Sequence, residues 1–399
     1  MERTGVAAGA AAWALVLLLA GCGTSTSAPR APGEAVGQRD PAPTSPSPTG
    51  SPEATPSPGT EPGTDAEDEP RTVSIVMGGD LLWHNTVWFS AAEDHQRTGR
   101  GRVYDWDPMF AWLEPTIRAA DVAICHAEVP FAAPGERPAS YPVFAAPRSI
   151  APWIASMGWD ACTTASNHSW DQGYDGVVTT ADLLEANGVA HVGTFRTPQE
   201  RKQPVILTTD AGVQVGIVAG TWGLNGFVPP ADQEFAVSMW DADNLLAQAH
   251  AAREAGADVV VVHVHWGTEY SQAPDAAQVE LARQLTASPD VDLVLGEHAH
   301  VVQPITRVNG KWVVYGMGNM VAQNDVSIPA TYEGITVDFD LAERPDGRWR
   351  VTRASYLPTQ WNHYVPGDPI RIRRATGSHL ASVRAAVDGA GHNAGLLED

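Results

Sequence analysis

Cysteine is scarce in this chain, and its scarcity excludes a small protein stapled by disulfides. Cysteine occupies 3 of the 399 positions, too few for the paired framework of such a protein. Cys22 belongs to an N-terminal segment described below, whereas Cys125 and Cys162 lie in strand-like runs. We expect these two to be buried free thiols, although an exported protein could pair them.

Positive charge is also scarce. The chain carries 25 Lys and Arg against 47 Asp and Glu, a formal charge of -22, with a pI near 4.8. This balance argues against nucleic acid as a partner. The segment 340–374 departs from it with seven arginines against four acids: Arg344, Arg348, Arg350, Arg353, Arg371, Arg373 and Arg374. This pattern is typical of a solvated strand face, and the alternative is a landing surface for an anionic polymer.

The N-terminal segment lacks an apolar run long enough to span a membrane. The apolar stretch of this segment covers residues 7–19, after Arg3, and is too short for a membrane-spanning helix. It ends in Leu19-Ala20-Gly21-Cys22, which resembles a bacterial lipobox. The resemblance implies cleavage before Cys22 and a lipid on its sulfur, and the alternative is an ordinary secretory signal.

The next segment, 23–71, is almost free of large apolar residues and rich in Pro, Ser, Thr, Gly and Glu. Such a composition buries too little surface to offset chain entropy, so it predicts a disordered tether. We therefore divide the chain into a lipoprotein signal (1–22), a tether (23–71) and a folded domain (72–399). We expect an extracytoplasmic protein that a lipid anchors to the cell membrane.

The domain alternates strand-like and helical patterns, which predicts an α/β sandwich with mixed sheets. The strand-like runs are 73–79, 121–128, 159–164, 258–265, 292–296, 334–341 and 349–356, with one hairpin over 204–219 and another turned at Asn309-Gly310. The helical patterns cover 109–119, 149–157, 174–186, 241–255 and 276–287.

Metal-type ligands follow the ends of several predicted strands. They are Asp80, Glu128, Asn167, His265, His298 and His300. Ligands in open α/β sheets bind beyond the carboxyl ends of the strands. Oxygen and imidazole ligands from separate strands favour an enzyme site for Mn, Fe or Zn over a structural zinc knot. One bridging carboxylate would suit two ions about 4 Å apart. The alternative for the Gly-x-His-x-His stretch is two hydrogen-bonded loop histidines.

Other polar residues near these positions predict supporting roles. His168 could protonate a leaving oxygen, and Asp171 could orient its ring. Glu269, soon after the strand that ends in His265, is a candidate substrate contact. For His126 and His263 we favour ordinary core histidines. Asn319 suits a Gly-rich turn as well as a site, a choice that the residues leave open.

Five ordered motifs resemble the CapA family of poly-γ-glutamate capsule-biosynthesis proteins, over roughly residues 72–364. They are Gly79-Asp80, Ala165-Ser-Asn-His-Ser-Trp-Asp171, His265-Trp-Gly-Thr-Glu-Tyr270, Gly296-Glu-His-Ala-His300 and Tyr315-Gly-Met-Gly-Asn319. The resemblance implies a calcineurin-like metallophosphoesterase fold, an α/β sandwich with mixed sheets. It also implies that the six residues above bind divalent transition metal, two ions of Mn, Fe or Zn, with His168 as the acid.

Five positions depart from the family pattern. Asn-Leu-Glu is replaced by His126-Ala-Glu128, and Glu297 stands where His is frequent. His84 replaces a small residue and is a candidate substrate contact or extra ligand. Leu82 stands where the phosphoesterase Asp-x-His motif has its His. The site is therefore expected to hold two ions, or one if that His is required.

Three functions are compatible with these observations. The leading hypothesis is a surface lipoprotein that synthesises, exports or trims an anionic envelope polymer, with a site that hydrolyses a phosphoester or a γ-glutamyl amide. The second is a non-catalytic accessory that binds polymer or organises a membrane-bound polymer synthase complex around a degenerate metal site. The third is a secreted nucleotidase, which the absence of a separate substrate domain after the core disfavours.

Overall fold

The structure, a computed structural model, describes residues 70–399. The predicted signal, Cys22 and nearly all of the tether lie outside the described residues. Over the described range, no helix has both the length and the apolar character needed to cross a membrane.

Fifteen strands in residues 70–399 form two sheets. The first sheet has the order β14-β13-β12-β1-β2-β3-β4, with β11 beside β1 and β15 beside β13. Its strands are β1 (Thr72–Leu81), β2 (Val122–Ala127), β3 (Ala161–Thr163), β4 (Ala190–Val192), β11 (Asn319–Val321), β12 (Glu333–Glu343), β13 (Trp349–Trp361), β14 (Ile372–Arg374) and β15 (Leu396–Glu398). The second sheet has the order β5-β6-β7-β8-β10-β9. Its strands are β5 (Val205–Thr208), β6 (Gln214–Thr221), β7 (Val259–His265), β8 (Leu293–Glu297), β9 (Ile305–Val308) and β10 (Lys311–Val314).

Eight helices flank these sheets in the described part of the chain. They are α1 (Asn85–Thr98), α2 (Asp107–Phe110), α3 (Glu114–Ala119), α4 (Ile150–Met157), α5 (Gly173–Glu185), α6 (Ala242–Glu254), α7 (Ala276–Ala287) and α8 (Gly377–Val387). Three 3-10 turns complete the elements, at Glu200–Lys202, Glu234–Ala236 and Pro329–Tyr332.

The strand sequences explain the sandwich, because alternate side chains of each strand enter different apolar layers. Met77 of β1, Val261 of β7 and Leu295 of β8 share one buried cluster with Phe339 of β12. The intervening residues of β7 pack in another cluster with helical residues such as Leu245. The mixed-sheet α/β sandwich that the sequence predicted is therefore confirmed.

Most predicted elements form, with one instructive difference. The helix over 276–287 has the predicted bounds, and the strands 205–208 and 214–221 form the predicted hairpin. The helical pattern over 109–119 instead divides into α2 and α3, each of which has a proline in its first turn. A proline is tolerated there but interrupts a helix interior, because it lacks the backbone N–H and its ring clashes with the preceding turn.

The parallel strands carry the candidate ligands to one region. β1, β2 and β3 are parallel neighbours in the first sheet, with Asp80 opposite His126. β7 and β8 are parallel neighbours in the second sheet, with His265 opposite Glu297. Because parallel strands end at the same edge, each sheet presents its ligands at its carboxyl edge.

The expectation of free thiols is wrong. Cys125 and Cys162 form a disulfide, with Cα atoms 4.4 Å apart. The two residues are register partners on the adjacent strands β2 and β3. The two cysteines are 37 residues apart in the sequence, so no local pattern indicates that they pair. The parallel pairing of β2 with β3 places them side by side.

We predict that the double variant Cys125→Ala, Cys162→Ala has a lower free energy of unfolding than the oxidised parent. A cross-link that closes a loop of this length restricts the unfolded chain by about 4 kcal/mol. Denaturant unfolding of the 72–399 domain measures the difference, with the chemically reduced parent as the control. Equal stability of the variant and the oxidised parent would contradict the prediction.

Candidate metal centre

The structure brings the six predicted ligands together at the carboxyl edges of both sheets. Each of their side chains is buried, none with more than 5% exposure. The loops that carry them follow strands β1, β2, β3, β7 and β8 directly, so that the strands set their positions. Asp80 and His265 lie within the strands themselves, at or next to the last residue: Asp80 in β1 and His265 in β7.

Hydrogen bonds set the orientation of the His300 ring. Its Nδ1 lies 3.0 Å from Asp80 Oδ2 and 3.0 Å from Asn319 Oδ1. Both oxygens accept, so Nδ1 carries a proton and donates it. The Nε2 atom is then directed to the other side, 3.7 Å from Glu128 Oε1. A second hydrogen bond of this kind is how metal-ligating histidines are oriented, and Asn319 therefore belongs to the site.

The carboxylates of Glu128 and Asp80 lack partners. Among the described residues, neither oxygen of Glu128 nor Oδ1 of Asp80 accepts a hydrogen bond, and both side chains are fully buried. Leaving a buried carboxylate unpaired is costly, whereas a bound cation would satisfy it. One ligand atom each from Asp80, Glu128 and His300 lies within 4.8 Å of the others. These donors fit a divalent transition ion.

The pKa values of Glu128 and His300 are both raised, a shift that a bound cation would oppose. Burial and the charge of Asp80 raise the pKa of Glu128 well above its usual range. Burial alone would lower the pKa of His300, but Glu128 and Asp80 outweigh it and raise that pKa to about 10. The metal-free site therefore holds a proton where its carboxylates converge, and metal binding would release it.

His126 and His265 form a second group with Asp80. His126 Nδ1 lies 2.8 Å from Thr163 Oγ1 and 3.2 Å from the Thr163 carbonyl oxygen, so it donates. Its Nε2 lone pair is then directed to His265 Nδ1 at 3.0 Å and Asp80 Oδ1 at 3.8 Å.

The proton of His265 is on the far side of its ring. His265 Nε2 lies 2.8 Å from Asn167 Oδ1, which accepts. Two imidazole lone pairs thus converge beside an unpartnered carboxylate oxygen. Burial lowers the pKa of His126 to about 3 and that of His265 well below its usual range, so each ring carries a single proton and is neutral near pH 7. Asp80, His126 and His265 would hold one metal cation, and Asp80 belongs to both groups.

His298 belongs to a third group, with Glu269 and His300. Its ring packs 4.7 Å from the ring of His265. The backbone of His298 has a φ of 98° and that of His300 a φ of 55°. Residues other than glycine rarely adopt this region, at a cost of about 1–3 kcal/mol, and such strain clusters at functional sites.

A cleft of about 750 Å³ opens at this centre. His168 lines it, and its Nδ1 lies 2.8 Å from Asp171 Oδ2, which also accepts from the Phe144 backbone N–H at 2.7 Å. His84 lines it as well. Its Nδ1 accepts from the Gln323 backbone N–H at 3.0 Å, which leaves Nε2–H as a donor. Burial and the charge of His300 lower the pKa of His84 to about 4, so this ring is neutral.

The cleft has no fixed positive side chain. In the described range, neither Lys nor Arg lines it, whereas Glu269 and Asp325 do. The aromatic residues Tyr141, Phe227 and Tyr270 form part of its wall. The basic side chains that an entering anionic group would meet are therefore imidazoles, such as that of His300.

Sequence reasoning missed two members of the site. His126 was assigned to the core, although it lies two residues before Glu128, and alternation places such positions on one face. That spacing could have identified it. Asn225 accepts a hydrogen bond from Asn167 Nδ2 at 3.1 Å and lines the cleft. No local pattern indicates this role.

Comparison with known proteins identifies related sequences. Residues 74–324 match the family model described as bacterial capsule synthesis protein PGA_cap. The PGA biosynthesis protein CapA of Bacillus subtilis is 27% identical over 257 residues, which cover 62% of this chain and 64% of that protein. A probable polyglutamine synthesis accessory protein of Mycobacterium tuberculosis is 26% identical over 355 residues, which cover 73% of this chain and 90% of that protein.

Solved structures with a similar chain path include two phosphoesterase-type proteins. A calcineurin-like phosphoesterase from Bacillus subtilis has a TM-score of 0.40 at 16% identity, covering 79% of this chain and 96% of that one. A putative 5′-nucleotidase from Staphylococcus aureus has a TM-score of 0.46 at 15% identity, covering 79% of this chain and 58% of that one.

We predict that His126→Ala lowers the metal affinity of the purified 72–399 domain at least about tenfold, because it removes one of three converging ligands. Metal content after dialysis against graded Mn²⁺ or Zn²⁺ buffers measures this affinity. His263→Ala is the matched control: this ring is also fully buried, 4.6 Å from the ring of His126, and belongs to none of the ligand groups. An equal affinity in both variants would remove His126 from the site.

Proposed function

This chain belongs to the PGA_cap family of bacterial capsule synthesis proteins, and from this premise we propose that it is a metal-dependent hydrolase of the cell envelope. Its substrate is an anionic, poly-γ-glutamate-like polymer or a phosphoester intermediate in making it. A lipid on Cys22 holds the domain at the outer side of the membrane, where a membrane-bound polymer synthase would pass on its product.

The observation that carries this proposal is the group of unpartnered, fully buried carboxylate oxygens of Asp80 and Glu128. Folding leaves these atoms without hydrogen bonds, close to the imidazoles of His126, His265 and His300. A purely structural role would not require unpaired buried carboxylates, which destabilise a protein. A metal-binding role explains both their burial and their lack of partners.

The residues fit a division into two cation positions. Asp80, His126 and His265 would hold one ion, and Asp80, Glu128 and His300 the other. When bound, such ions activate water and neutralise charge on the scissile group. The side-chain oxygen of Asn167 accepts a hydrogen bond from His265 Nε2–H. The side-chain oxygens of Asn319 and Asp80 accept from His300 Nδ1–H.

His168 is placed to handle the proton of the leaving group. Its Nδ1–H donates to Asp171 Oδ2, so its Nε2 is the atom available to substrate in the cleft. The Asp171 carboxylate orients the ring for the role of general acid, because it accepts the Nδ1–H hydrogen bond. Phe144 packs edge-on against the ring at 4.8 Å and holds it in place.

The bond that is cleaved is a phosphoester or a γ-glutamyl amide. Both present an oxygen that gains negative charge in the transition state. The cleft offers no Lys or Arg among the described residues to stabilise it. Cations held by Asp80, Glu128 and the neighbouring histidines would therefore supply that stabilisation.

The alternative function is a non-catalytic accessory that holds polymer or organises a synthase complex around the same centre. The name of the mycobacterial relative, a probable accessory protein, favours it. Its metal would then stabilise the fold or bind polymer carboxylates without hydrolysis.

We predict that His168→Ala leaves metal content intact but lowers turnover of a phosphodiester by about 10²–10⁴-fold, the usual contribution of general acid catalysis. The loss should be smallest for substrates whose leaving group needs no proton, such as nitrophenolate. His300→Ala, the matched comparison, should lose metal and activity together, because its Nε2 is directed to Glu128.

Complementation of a deletion strain separates enzyme from accessory. If His168→Ala restores polymer production fully, while no variant or parent hydrolyses any substrate, the enzymatic proposal fails and the accessory function stands.

We predict that Cys22→Ser releases the full-length protein into soluble fractions. The reason is that lipid on one sulfur, rather than a spanning helix, would be the anchor. Fractionation of cells and immunoblotting measures the release, and Cys125→Ser is a control that keeps Cys22. Retention of Cys22→Ser in the membrane would contradict the lipobox interpretation.

A further inference from the structure

The arginines of segment 340–374 do not form a continuous positive surface. Arg353 pairs with Asp338 and Asp399, and Arg374 pairs with Glu398. Arg371 holds Asp94 through two hydrogen bonds, of 2.8 and 2.6 Å. Most of the positive charge is therefore neutralised locally, as expected for a solvated strand face.

Arg373 is different. Within residues 70–399, its guanidinium forms neither a salt bridge nor a hydrogen bond, and the residue is exposed. It lies on β14, an edge strand of the first sheet, opposite Gln360 of β13. Residues in such register share one face of the sheet, so their side chains are neighbours. The Gln360 Oε1 atom accepts from the Thr376 backbone N–H at 2.7 Å, which leaves its amide NH₂ as a free donor.

These two residues line a cavity of about 370 Å³ that contains no acidic lining residue in the described chain. We call it the basic pocket, and its polar lining consists of Gln360, Asn362, His363, Arg371, Arg373 and His379. Two of its basic residues have partners outside the lining: Asp94 for Arg371, and Glu333, at 2.7 Å, for His379. Arg373 supplies the uncompensated charge.

The basic pocket adjoins the metal cleft. Asn324 and Asp325 line the cleft, whereas Val326 and Pro329 line the basic pocket. Tyr332 connects the two, because its hydroxyl donates to the Asn324 carbonyl oxygen at 2.7 Å and accepts from His363 Nδ1 at 3.1 Å. The two cavities are thus the two sides of one chain segment.

We infer that the basic pocket binds a carboxylate of the polymer whose neighbouring units enter the metal cleft. This inference rests on the proposed function, which supplies the polymer. A protein of net charge -22 repels a polyanion, and the cleft has no fixed cation of its own. A cationic contact on the adjoining surface keeps the polymer at a high effective concentration near the metal centre. Arg373 and the Gln360 amide are the donors for the carboxylate.

The test is binding of fluorescently labelled poly-γ-glutamate to the metal-loaded protein, followed by anisotropy. Arg373→Glu should weaken binding at least about tenfold, since it replaces an attraction with a repulsion. Arg350→Glu is the matched control. Arg350 is also an exposed arginine without a side-chain partner in the described chain, but it lies at the other end of β13 and outside the basic pocket. It should change binding less than about twofold. Arg373→Lys, which keeps the charge, should retain most of the affinity.

Equal losses in Arg373→Glu and Arg350→Glu would show a general charge effect and overturn the inference. So would parental affinity in Arg373→Glu, or tighter binding of a phosphate polymer that competes with poly-γ-glutamate. Metal content and hydrolysis of a small phosphodiester test the proposed function separately, and Arg373→Glu should leave both unchanged. Selective loss of polymer binding without hydrolysis by any form would support the basic pocket and refute the enzyme.

Discussion

The compensation of buried negative charge is the constraint on which the site depends. Asp80 and Glu128 are fully buried beside each other, and three of their four oxygens accept no hydrogen bond among the described residues. Without metal, a proton on the Glu128–His300 pair is the nearest substitute, which explains the raised pKa of both groups. The surrounding histidines stay neutral because burial disfavours their charged form. A bound cation would compensate the same buried negative charge directly.

The scaffold keeps this arrangement rigid. The two sheets enclose a continuous apolar layer directly below the ligands, which limits how far any strand end can move. The disulfide adds a local restraint between β2 and β3, next to His126. Cys125 and Cys162 immediately precede His126 and Thr163, whose hydrogen bond selects the His126 tautomer. The cross-link therefore fixes the strand pair that directs a ligand lone pair at Asp80.

Charge is distributed unevenly around the centre, and the distribution suits a long substrate. No Lys or Arg lines the cleft in the described chain, whereas the basic pocket carries a permanent positive charge at Arg373. If the substrate is a polymer that reaches both cavities, its binding would depend on Arg373, whereas the binding of a short substrate confined to the cleft would not.

The sequence by itself determined the fold class and predicted a set of candidate ligands. Helix α7 and the 205–221 hairpin followed from local periodicity and turn residues, and the ligands from polar residues at strand ends. Family membership followed from motifs such as Gly-x-His-x-His. Local signals decide these features because side-chain alternation and turn chemistry act over a few residues.

Only the tertiary structure decided how the ligands are grouped. It joined Cys125 to Cys162, moved His126 from the core into the site, and placed Asn225 and Asn319 against the ligands. It also separated Arg373 from the paired arginines. Each of these depends on strand register and on contacts between residues far apart in the chain. The physical reason is that a side chain's partner across a parallel sheet is set by the crossover between strands, and no short stretch of sequence encodes it.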